Sequence, residues 1–466
     1  MPSIDPHIFR AYDIRGRADT QVTPEAGYAI GRAFGAIVKE RYGIDHPRIV
    51  VGRDARTHGN AIAEATIAGL SEAGCTVLTM GQTPSPLNYF TICSMNLDGG
   101  VQITASHNPK EDNGIKLQTR HAEAFSGDDL QLLRQRIEAE TTQNSKLKTQ
   151  NSIESIDAIT PYLDHITRLL PDAGEGLPIV VDNGNGVTGP VYNEALRRAG
   201  ATVTELFAEP DGTFPHHIAD PGQYETLGWL REKVVEEGAA LGLAFDGDGD
   251  RVGFVDETGA IRTADEMLLL LSEDLLERHA GATVVFTVSN SSVLESEIKK
   301  RKGVPVLCKV GHSYVEHAMR AHGALLGGEQ SGHFFCAEQY FGFDDALVAA
   351  LRVLDIVRRK QKPMSQILAE FPRVFQAEER RPHCDDAKKF DVVRRITAYF
   401  SSRYPVNTLD GARIDFGDGA WAGIRASNTA PKLSICIEAR SEEKLREVEE
   451  IVLGHLKTYG EIGWET

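Results

Sequence analysis

One architecture is written three times along this chain. Strand-like runs end in loops of glycine and small residues at RIVVGRDART (48–57), PIVVDNGNGVTG (178–189) and ATVVFTVSNSS (282–292). Each is followed by a helical stretch and a second strand, at GCTVLTMGQTPSP (74–86), GATVTELFAEPDGTFP (200–215) and VPVLCKVGHSYV (304–315). A third strand follows in every case, at GGVQITASHNP (99–109), ALGLAFDGDGDR (240–251) and HGALLGGEQSGH (322–333). Short apolar runs alternating with helices are the pattern of parallel α/β sheets. Three such runs in register predict three consecutive, similar domains of mixed α/β sheet. Ligands bind such sheets beyond the carboxyl ends of the strands. The loops that close the third strands, TASHNP, DGDGDR and GEQSGH, hold equivalent places and are expected to converge on a central cleft.

The rest of the chain reads differently. GARIDF, WAGIRAS and KLSICIEA are strands and residues 441–460 form a helix, which predicts a smaller C-terminal α+β domain. Polar, turn-rich stretches at 139–155, 256–266 and 371–389 mark the joins. The expected domains are 1–152, 153–257, 258–372 and 373–466.

Charge narrows the partners. Lys and Arg number 50 against 67 Asp and Glu, a net charge of −17. That balance argues against nucleic acid or an anionic membrane as partner. An anionic ligand needs a local site of a few converging basic residues. The six cysteines are scattered with no C-x-x-C pair, as expected of reduced thiols in a cytoplasmic protein. Residues 1–16 have no apolar core of a signal peptide, and no apolar run is long enough to span a bilayer.

DGDGDR carries the strongest chemistry. Asp246, Asp248 and Asp250 at alternate positions can surround one hard cation, and the intervening glycines let the backbone fold around it. Glu257 would complete a calcium EF-hand, but Arg251 stands where that loop needs glycine, and both flanks read as strands. TASHNP sets Ser106 beside His107 at a strand tip, and DNGIK (112–116) brings Lys116. A serine near a divalent cation and basic side chains can carry a phosphoryl group. A Ser-His-Asp hydrolase would need a G-x-S-x-G elbow, which is absent here. GEQSGH offers Glu329, Ser331 and His333 as hydrogen-bonding groups suited to sugar hydroxyls. RASNTAP (425–431) combines Arg425 with Ser427, Asn428 and Thr429, a phosphate cradle or a capped turn. FRAYDIRG (9–16) places Arg10, Tyr12 and Arg15 before the first helix. The glycines at 184, 186 and 189 fall short of a dinucleotide fingerprint and are read as a tight turn.

Eight short motifs in order, FRAYDIRG, TASHNP, DNGIK, DGDGDR, KVGHSYV, GEQSGH, FGFDDAL and RASNTAP, resemble the α-D-phosphohexomutase superfamily. Within it the chain is most similar to the bacterial phosphomannomutase/phosphoglucomutase branch. The resemblance implies three similar α/β domains and a smaller fourth around a cleft. It implies that Ser106 is phosphorylated and that magnesium is held by Asp246, Asp248 and Asp250 with Ser106. It assigns Arg15, Lys116, Arg251 and His333, with His107, to the transferred phosphoryl group and the hydroxyl proton. Tyr12, His312, Glu329 and Ser331 would contact the sugar, and Arg425, Ser427, Asn428 and Thr429 the other phosphate. Many relatives carry a lysine where this chain reads TVSNSS.

The activity so implied interconverts hexose 1-phosphate and hexose 6-phosphate, of mannose or glucose, with a hexose 1,6-bisphosphate as intermediate and activator. The expected enzyme is cytoplasmic, a monomer or small homo-oligomer, acting on a small phosphosugar. Phosphoglucosamine mutases share GEQSGH, but they resemble FGTDGIRG and KVGDRYV where this chain has FRAYDIRG and KVGHSYV. The same motifs also admit a non-catalytic sugar-phosphate-binding protein, or a magnesium phosphatase that would release inorganic phosphate.

Overall fold

The computed structural model describes residues 4–141, 152–428 and 430–464. Thr429 and residues 142–151 of the polar stretch read as a join lie outside them. Contacts gather the chain into two compact units: residues 1–267 with 331–367, and residues 268–330 with 368–466. No described helix is long and apolar enough to cross a membrane.

The first unit holds two sheets. One runs, in spatial order, Ile14–Arg17, Asp112–Thr119, Gly99–Ile103, Arg48–Arg53, Thr76–Gln82 and Ile153–Ser155. The other runs Ile261–Arg262, Val252–Asp256, Leu241–Phe245, Pro178–Asp182 and Thr202–Leu206. In the second unit Leu326–Gly328, Thr283–Thr287 and Val304–Cys308 pair in parallel. The threefold repeat is therefore topological. Each time the third strand lies beside the first, and the first beside the second, all parallel. In the first two sheets the third strand then turns back as an antiparallel hairpin. TASHNP and DGDGDR are the turns of those two hairpins, so their equivalence in sequence is also one of geometry.

Ile153–Ser155, within the polar stretch, is not a free connection. It pairs in parallel with Thr76–Gln82 as an exposed edge strand, its backbone partly satisfied by that neighbour. The last sheet, Phe375–Gln376, Leu433–Ala439, Trp421–Ala426, Ala412–Asp415 and Val406–Asn407, is antiparallel throughout. Helices Lys389–Ser401 and Glu442–Leu456 cover it and bury Val392, Ile396, Val448 and Val452 in its core.

The helices follow from local chemistry. Pro24–Tyr42 starts at Thr23, whose hydroxyl accepts from Ala26 N, has Pro24 in its first turn, and ends at Gly43 in the left-handed region. It packs on Gly59–Glu72 through small residues. A Cβ on Gly31 would sit 2.3 Å from the carbonyl of Thr66, so only glycine permits this approach. The two helices bury Ile30, Phe34, Ile62 and Leu70 in a common core with Ile49 and Val101 of the first sheet.

Candidate active site

In the first unit the two hairpin turns meet. Ser106 is 2 % exposed and adopts φ 52°, the left-handed region that costs an L-residue about 1–2 kcal/mol. Its Oγ donates to Asp246 Oδ2 at 2.5 Å and lies 3.0 Å from His107 Nδ1. Asp246, Asp248 and Asp250 are all buried, and each offers an oxygen within 4.8 Å of the others. The turn reaches the serine loop because of Gly247: a Cβ there would fall 2.7 Å from Ser106 O. An open cavity of about 240 Å³ adjoins Ser106, lined also by Asn108, Lys110, Thr213 and Phe214.

Three buried carboxylates need compensation. Lys116, on the strand Asp112–Thr119, supplies part of it. Its Nζ donates to Asp248 Oδ2 at 2.7 Å and also to Asp250. Burial alone would depress this ammonium, but Asp248 and Asp250 outweigh it and hold its pKa well above the usual lysine value. Asp250 is held below the usual carboxylate range: burial opposes its charge, and Lys116, His333 and Arg251 overcome that. Asp246 is pushed up by burial and by its two neighbours Asp250 and Asp248. Asp248 Oδ1 and Asp250 Oδ1 are buried and accept no hydrogen bond among the described residues. Three carboxylates, each with an oxygen within 4.8 Å of the others, are the ligand set that a hard divalent cation takes, so the triad can hold a metal.

Other cations ring the serine. Arg15 donates from Nε to Asp13 Oδ2 at 2.6 Å, and from a terminal nitrogen to Asn108 Oδ1 at 2.9 Å and Ala105 O at 3.1 Å. It is 8 % exposed, so it is no surface arginine but part of the site. Arg251 Nε donates to His333 Nε2 at 2.9 Å, and His333 Nδ1 faces Asp344 Oδ2 at 3.0 Å. Tyr12 is half-buried just before Asp13.

The second unit carries the remaining candidates. Glu329 is buried and accepts from Gly311 N at 2.7 Å, at the start of the helix His312–His322. Asn428 Nδ2 donates to Val310 O at 3.1 Å, which ties RASNTAP to the KVGHS loop. Arg425 Nε is buried without a hydrogen-bond partner among the described residues. Ser427 Oγ accepts from Ala430 N at 3.2 Å. The GEQSGH motif is divided: Glu329 belongs to this unit, Ser331 and His333 to the first.

Four family models align with this arrangement. The alpha/beta/alpha domains I, II and III of phosphoglucomutase/phosphomannomutase match residues 6–144, 160–259 and 263–375. The C-terminal domain of the same family matches 356–455. The chain belongs to the phosphoglucomutase/phosphomannomutase family.

Within that family the relatives are similar from end to end. A phosphomannomutase/phosphoglucomutase of Pseudomonas aeruginosa strain PAO1 is 37% identical over 457 residues, covering 98% of this chain and 96% of that protein. A phosphoglucomutase of Neisseria gonorrhoeae is 36% identical over 452 residues, 96% of each. A crystal structure of a phosphoglucomutase/phosphomannomutase family protein from Burkholderia thailandensis superposes with a TM-score of 0.89 at 33% identity, over 99% of this chain and all of that one.

Beside these residues stand others to which the motifs gave no role, Asp345 of FGFDDAL and Thr104 of TASHNP among them. Ser85 Oγ donates to Asp248 Oδ2 at 2.6 Å and Ser85 N to Asp248 O at 2.8 Å. Asp345 is buried, caps the helix Ala346–Lys360, and accepts from Tyr340 and Tyr162 at 2.8 and 3.0 Å. Asp54, Arg56 and Thr104 back the Ser106 loop. Asp54 and Arg56 follow a buried strand, in GRDART, the first-strand loop of the first repeat.

Proposed function

We propose that this phosphohexomutase, an isomerase, shuttles a phosphoryl group between Ser106 and the two ends of a hexose phosphate, converting 1-phosphate to 6-phosphate. The observation that carries the reading is Ser106 Oγ, 2.5 Å from Asp246 Oδ2 and next to a triad already bound by Lys116. A phosphoryl acceptor beside converging positive charge is the arrangement such chemistry needs. Both mannose and glucose phosphates are proposed substrates, since the names of the relatives carry both.

In the first transfer the bond between Ser106 Oγ and phosphorus breaks, and a new one forms to the free hydroxyl of the sugar. That hydroxyl gives its proton to a base of the site, the role assigned to His333, and Ser106 Oγ takes up a proton as it leaves phosphorus and becomes the acceptor for the return. The bisphosphate then presents its other phosphate, and the reverse step regenerates phospho-Ser106. Lys116, kept charged by Asp248 and Asp250, acts as a positive charge and not as a base. Arg15 and Arg251 share that task. His333, set between Arg251 and Asp344, is assigned to handling the proton. His107 lies against Oγ itself. Glu329, Ser331, His312 and Tyr12 are assigned to the sugar, and Arg425, Ser427 and Asn428 to the phosphate not being transferred. The family is magnesium-dependent, and the carboxylates of Asp246, Asp248 and Asp250 fit such an ion together with Ser106. When bound, magnesium neutralises the oxygens of the transferred group. The four domains, 1–152, 153–257, 258–372 and 373–466, remain our division of the chain, and a cytoplasmic, monomeric or small homo-oligomeric enzyme our reading of its setting. Phosphoglucosamine is the less favoured substrate.

A coupled assay with mannose, glucose and glucosamine 1-phosphates, primed with glucose 1,6-bisphosphate, tests the proposal. The first two should turn over without release of inorganic phosphate. Intact-mass and peptide mapping should find a phosphoryl group on Ser106, and Ser106→Ala should lose at least roughly 10⁴-fold in kcat. Phosphate release in place of isomerisation, or a fully active Ser106→Ala, would sink it.

A further inference from the structure

Both peptide groups of Ser106 are held by one closed circuit of side chains. Ser106 N donates to Thr104 Oγ1 at 2.8 Å. Thr104 Oγ1 donates to Asp54 Oδ2 at 2.8 Å. Asp54 also receives Arg56 N on Oδ1 at 3.0 Å and Arg56 Nε on Oδ2 at 3.1 Å. The far side of the same guanidinium donates to Ser106 O at 2.9 Å and closes the ring. Its other bonds go to the carbonyls of Asn108 at 2.7 Å, Pro109 at 2.6 Å and Asp112 at 2.9 Å, and the face of the group lies 5.4 Å from the ring of Phe214. Asp54, Arg56, Thr104 and Ser106 are all 2 % exposed or less.

We infer that Asp54, Arg56 and Thr104 are positioning residues for the nucleophile, a clamp that fixes Ser106 in its left-handed conformation and so aims Oγ at the metal loop. A buried guanidinium spent on carbonyl groups is costly unless each donor has a fixed acceptor, and here they do. Only a planar fork reaches one carboxylate and four carbonyls at once; an ammonium does not. A misdirected nucleophile loses rate while substrate affinity is kept, because the clamp touches no substrate group. This rests on the proposed mutase reaction.

The test compares Arg56→Lys and Thr104→Val with the parent enzyme. Each is read for fold by circular dichroism, for kcat and KM on glucose 1-phosphate, and for the single-turnover rate of Ser106 phosphorylation by glucose 1,6-bisphosphate. Arg56→Lys should lose on the order of 100-fold in kcat and Thr104→Val on the order of 10-fold, with KM within about twofold. The single-turnover rate should fall by the same factors. Thr104→Ser, which keeps the hydroxyl, should recover most of the rate. Folded variants with the parental kcat and only a lower melting temperature would overturn the clamp, leaving a purely structural role. If Arg56→Lys does not fold, Thr104→Val decides alone. A parent enzyme without mutase activity would overturn the function and the clamp with it; an active parent beside equally active variants overturns the clamp only.

Discussion

Two loops in this molecule are each held from behind by a buried cation that donates to backbone carbonyls. Behind Ser106 the cation is Arg56, with four carbonyls and a carboxylate around it. Behind RASNTAP it is Lys389, whose Nζ donates to Ser427 O at 2.6 Å, Ala430 O at 3.1 Å and Asp386 Oδ1 at 2.6 Å. A guanidinium fixes direction as well as distance, whereas an ammonium on a flexible stem fixes only distance. The surroundings match. Thr104, Ala105 and Ser106 are buried and the serine sits at φ 52°, while Ser427 and Asn428 are half-buried. In the proposed reaction the first loop aims a bond-forming atom and the second must grip a phosphate in two orientations of one intermediate. Rigid aim and adaptable grip ask for different cations, and the chain supplies them.

The largest effect is expected on the rigid side. Asp248→Asn removes a charge from the triad but leaves the hairpin that carries it. Turnover should fall roughly 10²–10³-fold, the cost of losing one electrostatic contact made in the transition state. Magnesium titration of the rate should shift to higher concentration, with circular dichroism unchanged. A variant that keeps the parental rate and magnesium dependence would remove the triad from the metal site.

On the adaptable side Arg425→Ala should cost about 2–3 kcal/mol in binding, the worth of a charge-assisted hydrogen bond. The guanidinium has a buried Nε with no partner among the described residues, a donor in want of an anion. The loss should be equal for 1-phosphate and 6-phosphate substrates, and phosphorylation of Ser106 should survive. Kinetics in both directions decide it: a defect in one direction only would mean that this loop does not serve both orientations.

This contrast was only half legible in the sequence. Motifs announce themselves where several functional side chains crowd into one loop, as in DGDGDR, GEQSGH and RASNTAP, and the repeat located the first two at equivalent strand ends. The clamp was not legible as a unit: Asp54 and Arg56 follow one strand, and Thr104, though it opens TASHNP, follows another; behind the second loop, Lys389 opens a helix far in sequence from Ser427. Such residues look like ordinary charges until the fold brings them to 0–4 % exposure. Arg15 shows the same limit from the other side. By itself FRAYDIRG only sets it before the first helix; pairing of Ile14–Arg17 with Asp112–Thr119 carries it inward to Asp13 and Asn108.

A smaller effect should follow pH in the first unit. Burial pushes Asp345 up to about 6 from its ordinary 3.8, against the donors Tyr340, Val348, Tyr162 and Leu347 that favour its charge. The folded chain thus holds this proton more tightly than the unfolded one. The contribution to stability is full below about pH 3.8 and is lost as pH rises through about 6. The gap in unfolding free energy between the parent and Asp345→Asn should shrink by roughly 2 kcal/mol from pH 4 to pH 7. Urea denaturation at several pH values checks this; a constant gap would mean that the carboxylate titrates alike in both states.

The smallest effect is the one that best separates the two cations. Lys389→Met keeps the aliphatic stem packed at the start of its helix and removes three donors. The carbonyls of Ser427 and Ala430 lose a partner but lie on a half-buried loop, where water can replace it. The fold should therefore survive with a modest loss of stability. What should change is the shape of the cradle, and with it the hold on the phosphate that is not transferred. KM should rise roughly fivefold, about 1 kcal/mol, for 1-phosphate and 6-phosphate alike, with kcat within about twofold. Arg56→Lys is expected to do the reverse, lowering kcat with KM unchanged. Steady-state kinetics on the two variants side by side test the distinction directly. If Lys389→Met lowers kcat and spares KM, the second loop is also an aiming device, and the difference between guanidinium and ammonium carries no functional meaning here.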